Sequence, residues 1–320
     1  MVYETFLTTV TSHLQAALGE DYHMTIRPLP KNNGVILDGL TICGPDIDMA
    51  PTIYLNPYYE QFKLGMNMEE VLADILKLYR STPAPDCLKE ADLSQFEALK
   101  SRIMFRIVHT ASNQKLLSDV PNLPFLDLSI LFYLFLERND SGQMTALIHN
   151  DHVKRWNVTE KELWKLALEN TPREYPAQIQ SMTDMMKEIA RENLADGIDE
   201  ELIEALLDDE EGVSPLYVLS NINGLYGAGC IIYQDVLKNF ADSLDRDLII
   251  LPSSIHEVLI TPDLSGTSYE DLSYMVTSIN RQEVPMEDQL SNQVYLYTRA
   301  DDQLRIVSHA AKTVGAASLN

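Results

Sequence analysis

Cysteine is scarce in this chain: Cys43, Cys87 and Cys230 are the only three, an odd number with no CxxC spacing. That argues against a disulfide framework and against the paired-thiol zinc sites, and it makes reduced thiols in the cytoplasm the expectation. Cations are short too. Lys and Arg number 24 against 48 Asp and Glu, for a formal net charge of −24 and a pI near 4.5. Contacts with phosphates need Lys and Arg to displace counterions, so direct binding to nucleic acid or to an anionic membrane is disfavoured. Long apolar runs are missing as well. The longest, LSILFYLFL at 128–136, is far below the ~20 residues of a membrane-spanning helix and reads as a buried strand. The opening MVYETFLTTV has neither the basic start nor the apolar core of a signal peptide, so export by that route is not expected. GLYGAG at 224–229 lacks the lysine of a P-loop and the spacing of a dinucleotide fingerprint.

What is present is a large apolar content, 45% of 320 residues, enough for a substantial core. Segments rich in β-branched and aromatic residues alternate with helical patterns. GVILDGLTICG and PTIYLN read as strands before the helix NMEEVLADILKLY. DLSILFYLFLE and QMTALIHN flank the turn RNDSG, ahead of TEKELWKLALEN. PLYVLSN and AGCIIY flank INGLYG, ahead of DVLKNFADSL. Asn67 with Glu70, and Thr159 with Glu162, have capping-box spacing at two helix starts. Near the end, LIILPSS and HEVLITP precede a helix capped by Ser268, and QVYLYTR with LRIVS reads as a hairpin. Repeated strand-strand-helix units imply an α+β fold with largely antiparallel sheets and helices packed on one face. The expected organisation is an N-terminal α+β region over 1–190, with possible subdomains 1–85 and 86–190. An acidic linker helix over 191–212 and a C-terminal α+β domain over 213–320 complete it.

Two polar clusters carry the chemistry worth weighing. LPSSIHEVLI at 251–260 places Ser254, His256 and Glu257 between two strands. In extended chain Ser254 and His256 share a face while Glu257 points away, so a self-contained triad is excluded. Ser254 and His256 remain catalytic candidates as nucleophile and base with an acid from elsewhere, although no Gly-x-Ser-x-Gly elbow is present. IHNDHVKRW at 148–156 offers His149, Asp151 and His152 as metal ligands, with the two imidazoles three residues apart. The alternative reading makes Asn150 or Asp151 a helix cap and His152 a first-turn residue. Trp156 and Trp164 read as core or contact residues, and Met182, Met185 and Met186 as packing or an adaptable binding face.

Taken in order, KNNGVILDGLTI, PTIYLNPYYEQFKLG, VPNLPFLDLSILFYLFLE, LIHNDHVKRW, ELWKLALENTP, LYVLSN and LPSSIHEVLI resemble one bacterial family, DUF family 5688. The resemblance runs over nearly the whole chain, and a weaker one, in 147–170 and the LIILPSS region, is to a second bacterial group. It implies a bacterial cytoplasmic setting and brings no activity, cofactor or catalytic residue. The leading expectation is therefore a non-enzymatic protein that binds another macromolecule, most simply a protein, with no cofactor. The alternative is a hydrolase or metal-dependent enzyme that uses the His149, His152 and His256 clusters. A third reading is an acidic decoy of nucleic acid.

Overall fold

The computed structural model describes residues 1–45, 50–81, 95–139, 142–193 and 215–308. The expected acidic linker helix at 191–212 lies almost wholly outside them, as does Cys87. The chain divides into two compact units, each assembled from three stretches: Met1–Met104, Asn113–Pro121 and Phe132–Leu166 in the first, Phe105–Ser112, Asn122–Leu131 and Ala167–Asn320 in the second.

The first unit opens with helix α1 (Tyr3–Leu18), then strands β1 (His23–Pro30), β2 (Ile36–Cys43) and β3 (Thr52–Tyr54), and helices α2 (Leu55–Lys63) and α3 (Met68–Ser81). The strands form an antiparallel sheet in the order β1-β2-β3. Phe6, Val10 and Leu14 of α1 and Val71 and Ile75 of α3 are buried with Leu40, Ile42 and Ile53 of the sheet. These helices repeat apolar residues at intervals of three and four, which gives each one stripe to bury. The Asn67 cap is as expected: Glu70 N–H donates to Asn67 Oδ1 at 2.9 Å, and Asn67 N–H to Glu70 Oε2 at 3.0 Å. PTIYLN departs from expectation, because only Thr52–Tyr54 is strand and α2 starts at Leu55. Leu55 is fully buried, and an apolar residue at a strand-to-helix junction prolongs the look of a strand.

Strand β4 (Ile103–His109) and strands β5 (Asn122–Phe125), β6 (Leu128–Asn139) and β7 (Gly142–Leu147) make a sheet in the order β4-β6-β5, with β7 also on β6. The apolar run at 128–136 is the buried strand foreseen, with Leu128, Leu131 and Phe132 fully enclosed. β5 and β6 pair with Phe125 opposite Leu128, so Leu126 and Asp127 form a two-residue turn. Leu126 has φ of 55° and Asp127 is not among the positive-φ residues. That is the arrangement in which glycine ordinarily takes the first turn position. At a relaxed position glycine is less stable than alanine; here the order inverts. Leu126→Gly is expected to exceed Leu126→Ala in urea-denaturation stability by about 1 kcal/mol. The opposite ranking would show that the turn is unstrained. After β7 come α4 (Asn150–Trp156) and α5 (Glu160–Glu174), the latter begun by the expected Thr159–Glu162 box.

The second unit is organised on a six-stranded antiparallel sheet: β8 (Ala177–Ser181), β9 (Tyr217–Asn221), β10 (Leu248–Leu251), β11 (Val258–Pro262), β12 (Tyr295–Thr298) and β13 (Gln303–Ile306), in the order β13-β12-β10-β11-β9-β8. All four residues of β10 are buried, as befits a central strand. Helix α6 (Met182–Asn193) follows β8, α7 (Val236–Leu244) lies between β9 and β10, and α8 (Tyr269–Gln282) lies between β11 and β12. Val276 of α8 packs on Ile249, Leu251, Val294 and Leu296, and Ser268 Oγ accepts from Asp271 N–H at 3.2 Å as the expected cap. The β12–β13 hairpin is also as foreseen. AGCIIY is not a strand: Gly227–Ile232 is a 3-10 helix. Its apolar, β-branched composition reports burial, since Gly227 through Ile231 are all buried, and burial alone does not select strand over helix. Cys230 lies here, and burial pushes its thiol pKa up to about 12, which keeps it protonated and unreactive.

Candidate functional site

The turn of LPSSIHEVLI joins β10 to β11, as expected. β9 runs antiparallel to β11 with Leu219 opposite Val258, so the loop that follows β9 emerges at the same end of the sheet. β12 starts there too, with Tyr295 opposite Ile250, which brings residues 283–294 alongside. The contacts are specific: Ile255 N–H donates to Asp288 O at 2.8 Å, Leu290 N–H to Ser253 O at 2.9 Å, and Ala228 N–H to Ile255 O at 3.3 Å. Three loops distant in sequence therefore meet around His256.

Ser254 and His256 are together, but the bond between them is made by the His256 backbone rather than by its ring. The Ser254 hydroxyl accepts the His256 backbone N–H at 3.0 Å and is buried, the local turn bond that serine favours. The imidazole points elsewhere. Its Nδ1 accepts from Tyr226 N–H at 3.3 Å, and its Nε2 lies 3.2 Å from Asp288 Oδ1. An Nδ1 that accepts leaves the proton on Nε2, which then donates to Asp288. Both ring nitrogens are thus committed to groups 30 and 32 residues away. Tyr226 also stacks on the His256 ring, with centroids 6.0 Å apart and planes at 11°.

Tyr226 also meets Arg106 of β4. The guanidinium carbon lies 4.8 Å from the Tyr226 centroid, and Nη1 donates to the Tyr226 hydroxyl at 2.8 Å. Tyr226 holds a left-handed backbone, φ 56° and ψ 25°, uncommon outside glycine, asparagine and aspartate. Gly227 follows because nothing larger fits. Its approach to Ser220, Asn221 and the His256 carbonyl leaves no space for a Cβ. Ser220 Oγ donates to that same carbonyl at 2.7 Å. None of Arg106, Tyr226 or Asp288 stood out in the sequence, since nothing in their spacing links them to His256.

A second polar centre in this unit surrounds Asp127. Its carboxylate accepts from Ser291 Oγ at 2.6 Å and from the Tyr295 hydroxyl. Tyr295 is fully buried and Ser291 nearly so. Burial, and next the charge of Asp127, raise the Tyr295 pKa far above the ordinary phenol value. His109, at the end of β4, is within 2.8 Å of Ser112 Oγ, and burial lowers its pKa.

The other candidates belong to the first unit. His149 precedes α4 and its Nδ1 lies 2.7 Å from Asp119 Oδ2. His149 N–H donates to His152 Nδ1 at 3.0 Å, which closes a capping box in which an imidazole takes the place of the usual Glu or Gln. His152 stacks on Trp156 with centroids 5.5 Å apart, and Trp156 in turn packs near Phe96 at 5.7 Å. Asp151 turns outward to Lys154 at 3.0 Å, whose hydrogen bond holds its pKa below the carboxylate range. The two imidazoles are neighbours, 5.7 Å between centroids, but Asp151 is engaged away from them. Among the described residues, no group of three or more His, Cys, Asp or Glu is placed to hold a metal ion.

The capping role of His152 has a consequence in pH. Burial, then His149 and Arg155, lower the His152 pKa. A histidine whose pKa is lower in the folded state contributes stability that is complete above the free value of about 6.5, and lost as pH falls through the lowered one. His152→Gln keeps a capping-box residue that does not titrate. Between about pH 7 and about pH 5 the wild-type melting temperature is expected to fall more steeply than that of His152→Gln. Equal slopes would remove His152 from the acid response.

Antiparallel sheets with helices define the class as α+β. The model of a family of unknown function, DUF5688, matches residues 3–299 of the 320 in the chain, and the chain belongs to that family. No curated protein and no solved structure matches it. No helix among the described residues is long and apolar enough to cross a membrane.

Proposed function

We propose that this is a non-enzymatic binding protein that docks another protein on the outer face of α8. The observation that carries this is apolar exposure. Tyr274, Met275 and Ile279 are 66%, 45% and 41% exposed, on a helix whose opposite face, with Ser273, Val276 and Asn280, is buried. Single exposed apolar residues are ordinary, but three within two turns of one helix make a patch, and tyrosine and methionine are residue types that interfaces favour. The hydrogen bonds of Ser254 with the His256 backbone, of both His256 ring nitrogens and of Asp151 with Lys154 add support, because each of these side chains already has a partner within the fold. The free thiols of Cys43 and Cys230 suit a reducing compartment, and the cytoplasm is proposed with that reading.

The test is a photo-crosslinking residue at Ser278, which is exposed on α8, irradiated in the cells that make the protein. A discrete adduct that Met275→Glu abolishes, with the melting temperature unchanged, is the expected result. An adduct pattern at Ser278 identical to that from exposed Lys161, or one indifferent to Met275→Glu, overturns the proposal.

A further inference from the structure

Arg106 is a half-buried guanidinium in a chain with twice as many acids as bases. Among the described residues it forms no ion pair. Its one hydrogen bond is from Nη1 to the Tyr226 hydroxyl, and its Nε is buried without a partner. Two other arginines are provided for. Arg299 holds both Asp242 and Asp245 at 3.1 and 2.6 Å, and Arg102 donates to the Leu136 carbonyl at 2.7 Å. Withdrawing a cation from water without a counter-ion is costly, and guanidinium Nε–H with a terminal N–H is the fork that takes two oxygens of an oxyanion. The surroundings are also preset. Tyr226 contacts both the Arg106 guanidinium and the His256 ring, and Asp288 holds that ring in turn. The left-handed backbone of Tyr226 is a local cost of the sort that accumulates at ligand clamps.

We infer that Arg106, positioned by Tyr226, is a binding site for the carboxylate group of a small-molecule ligand. A carboxylate fits better than a phosphate for an electrostatic reason. The site lies in the field of a net charge of −24, with Asp288 bonded to the neighbouring His256, and this penalises a dianion about twice as much as a monoanion. The site is separate from the α8 face, and the two readings stand or fall independently.

The experiment follows the Arg106 Nε–H resonance by nitrogen-proton correlation NMR while succinate, inorganic phosphate or chloride is added at matched ionic strength. The signal is assigned by its loss in Arg106→Lys or, if that variant does not fold, by its displacement in Tyr226→Phe. The expected result is a saturable shift with succinate, no saturable shift with chloride, and binding of phosphate weaker than that of succinate. In Tyr226→Phe, which removes the hydroxyl that orients Nη1, succinate is expected to bind about tenfold more weakly, the equivalent of one charge-assisted hydrogen bond. A resonance that moves no differently in succinate than in chloride overturns the site. Tighter binding of phosphate than of succinate overturns the assignment to a carboxylate.

Discussion

Gly227→Ala is expected to destabilise the protein by about 3 kcal/mol or more, because the clash it creates has no route of escape. The added Cβ would sit 2.1 Å from Ser220 Oγ, 2.5 Å from the His256 carbonyl oxygen and 2.7 Å from the Asn221 nitrogen. The last two are backbone atoms and cannot rotate aside, and moving Ser220 sacrifices its hydrogen bond to the same carbonyl. The loops after β9 and β10 must therefore separate, and Tyr226, the preceding residue, loses its seat against His256. Gly229→Ala is the control: its Cβ would meet only the ring edge of Phe105, at 3.3 Å, and a cost of about 1 kcal/mol is expected. Urea denaturation of the two variants gives the comparison. Equal costs would mean that the crossing of the two loops is not a fixed point of the fold.

Asp127→Ala is expected to cost about 3 kcal/mol, since one carboxylate serves two hydroxyls buried in the second unit. Its removal takes the carboxylate acceptor from the buried Tyr295 hydroxyl, which keeps Ser291 as a neighbour, and from Ser291 Oγ, which still accepts the Gln293 N–H. Asp127→Asn keeps one carbonyl acceptor but turns an amide N–H₂ toward a donor, so roughly half the loss is expected there. A double-mutant cycle with Tyr295→Phe isolates the shared interaction, and a coupling near zero would show that the tyrosine hydroxyl is satisfied without Asp127.

Gly227 stood out in the sequence only as a turn glycine of GLYGAG, and Asp127 did not stand out, and the reason is physical. Local features were legible wherever a bond joins residues close in the chain. The Asn67–Glu70 and Thr159–Glu162 boxes, the Ser268 cap, the β10–β11 turn and the β12–β13 hairpin all depend on spacings of a few residues, and all were readable. The apolar run in β6 was readable because its composition excludes solvent exposure. Two segments misled for a common reason: PTIYLN and AGCIIY are buried, and burial enriches the same residues in a strand, a 3-10 helix or a helix start. The surroundings of the candidate residues were illegible for a different reason. His256 is oriented by Tyr226 and Asp288, and Asp127 by Ser291 and Tyr295, across separations that carry no periodic signal. The sequence placed LPSSIHEVLI at a turn between strands, but it could not say that the serine serves the backbone and the histidine serves an aspartate.

The pairing of Asp127 with its two hydroxyls also sets an order of events during synthesis. Ser291 and Tyr295 lie 164 and 168 residues downstream. At translation rates of about 5–20 residues per second, roughly 10–30 s pass between the appearance of the carboxylate and that of its partners. Through that interval the β5–β6 turn is complete in sequence yet lacks the groups that bury its charge. Growing chains thus carry an unfinished second unit until Ser291 and Tyr295 emerge, and slowing or stalling translation within 132–290 is expected to extend the time that surface stays open to proteases and chaperones.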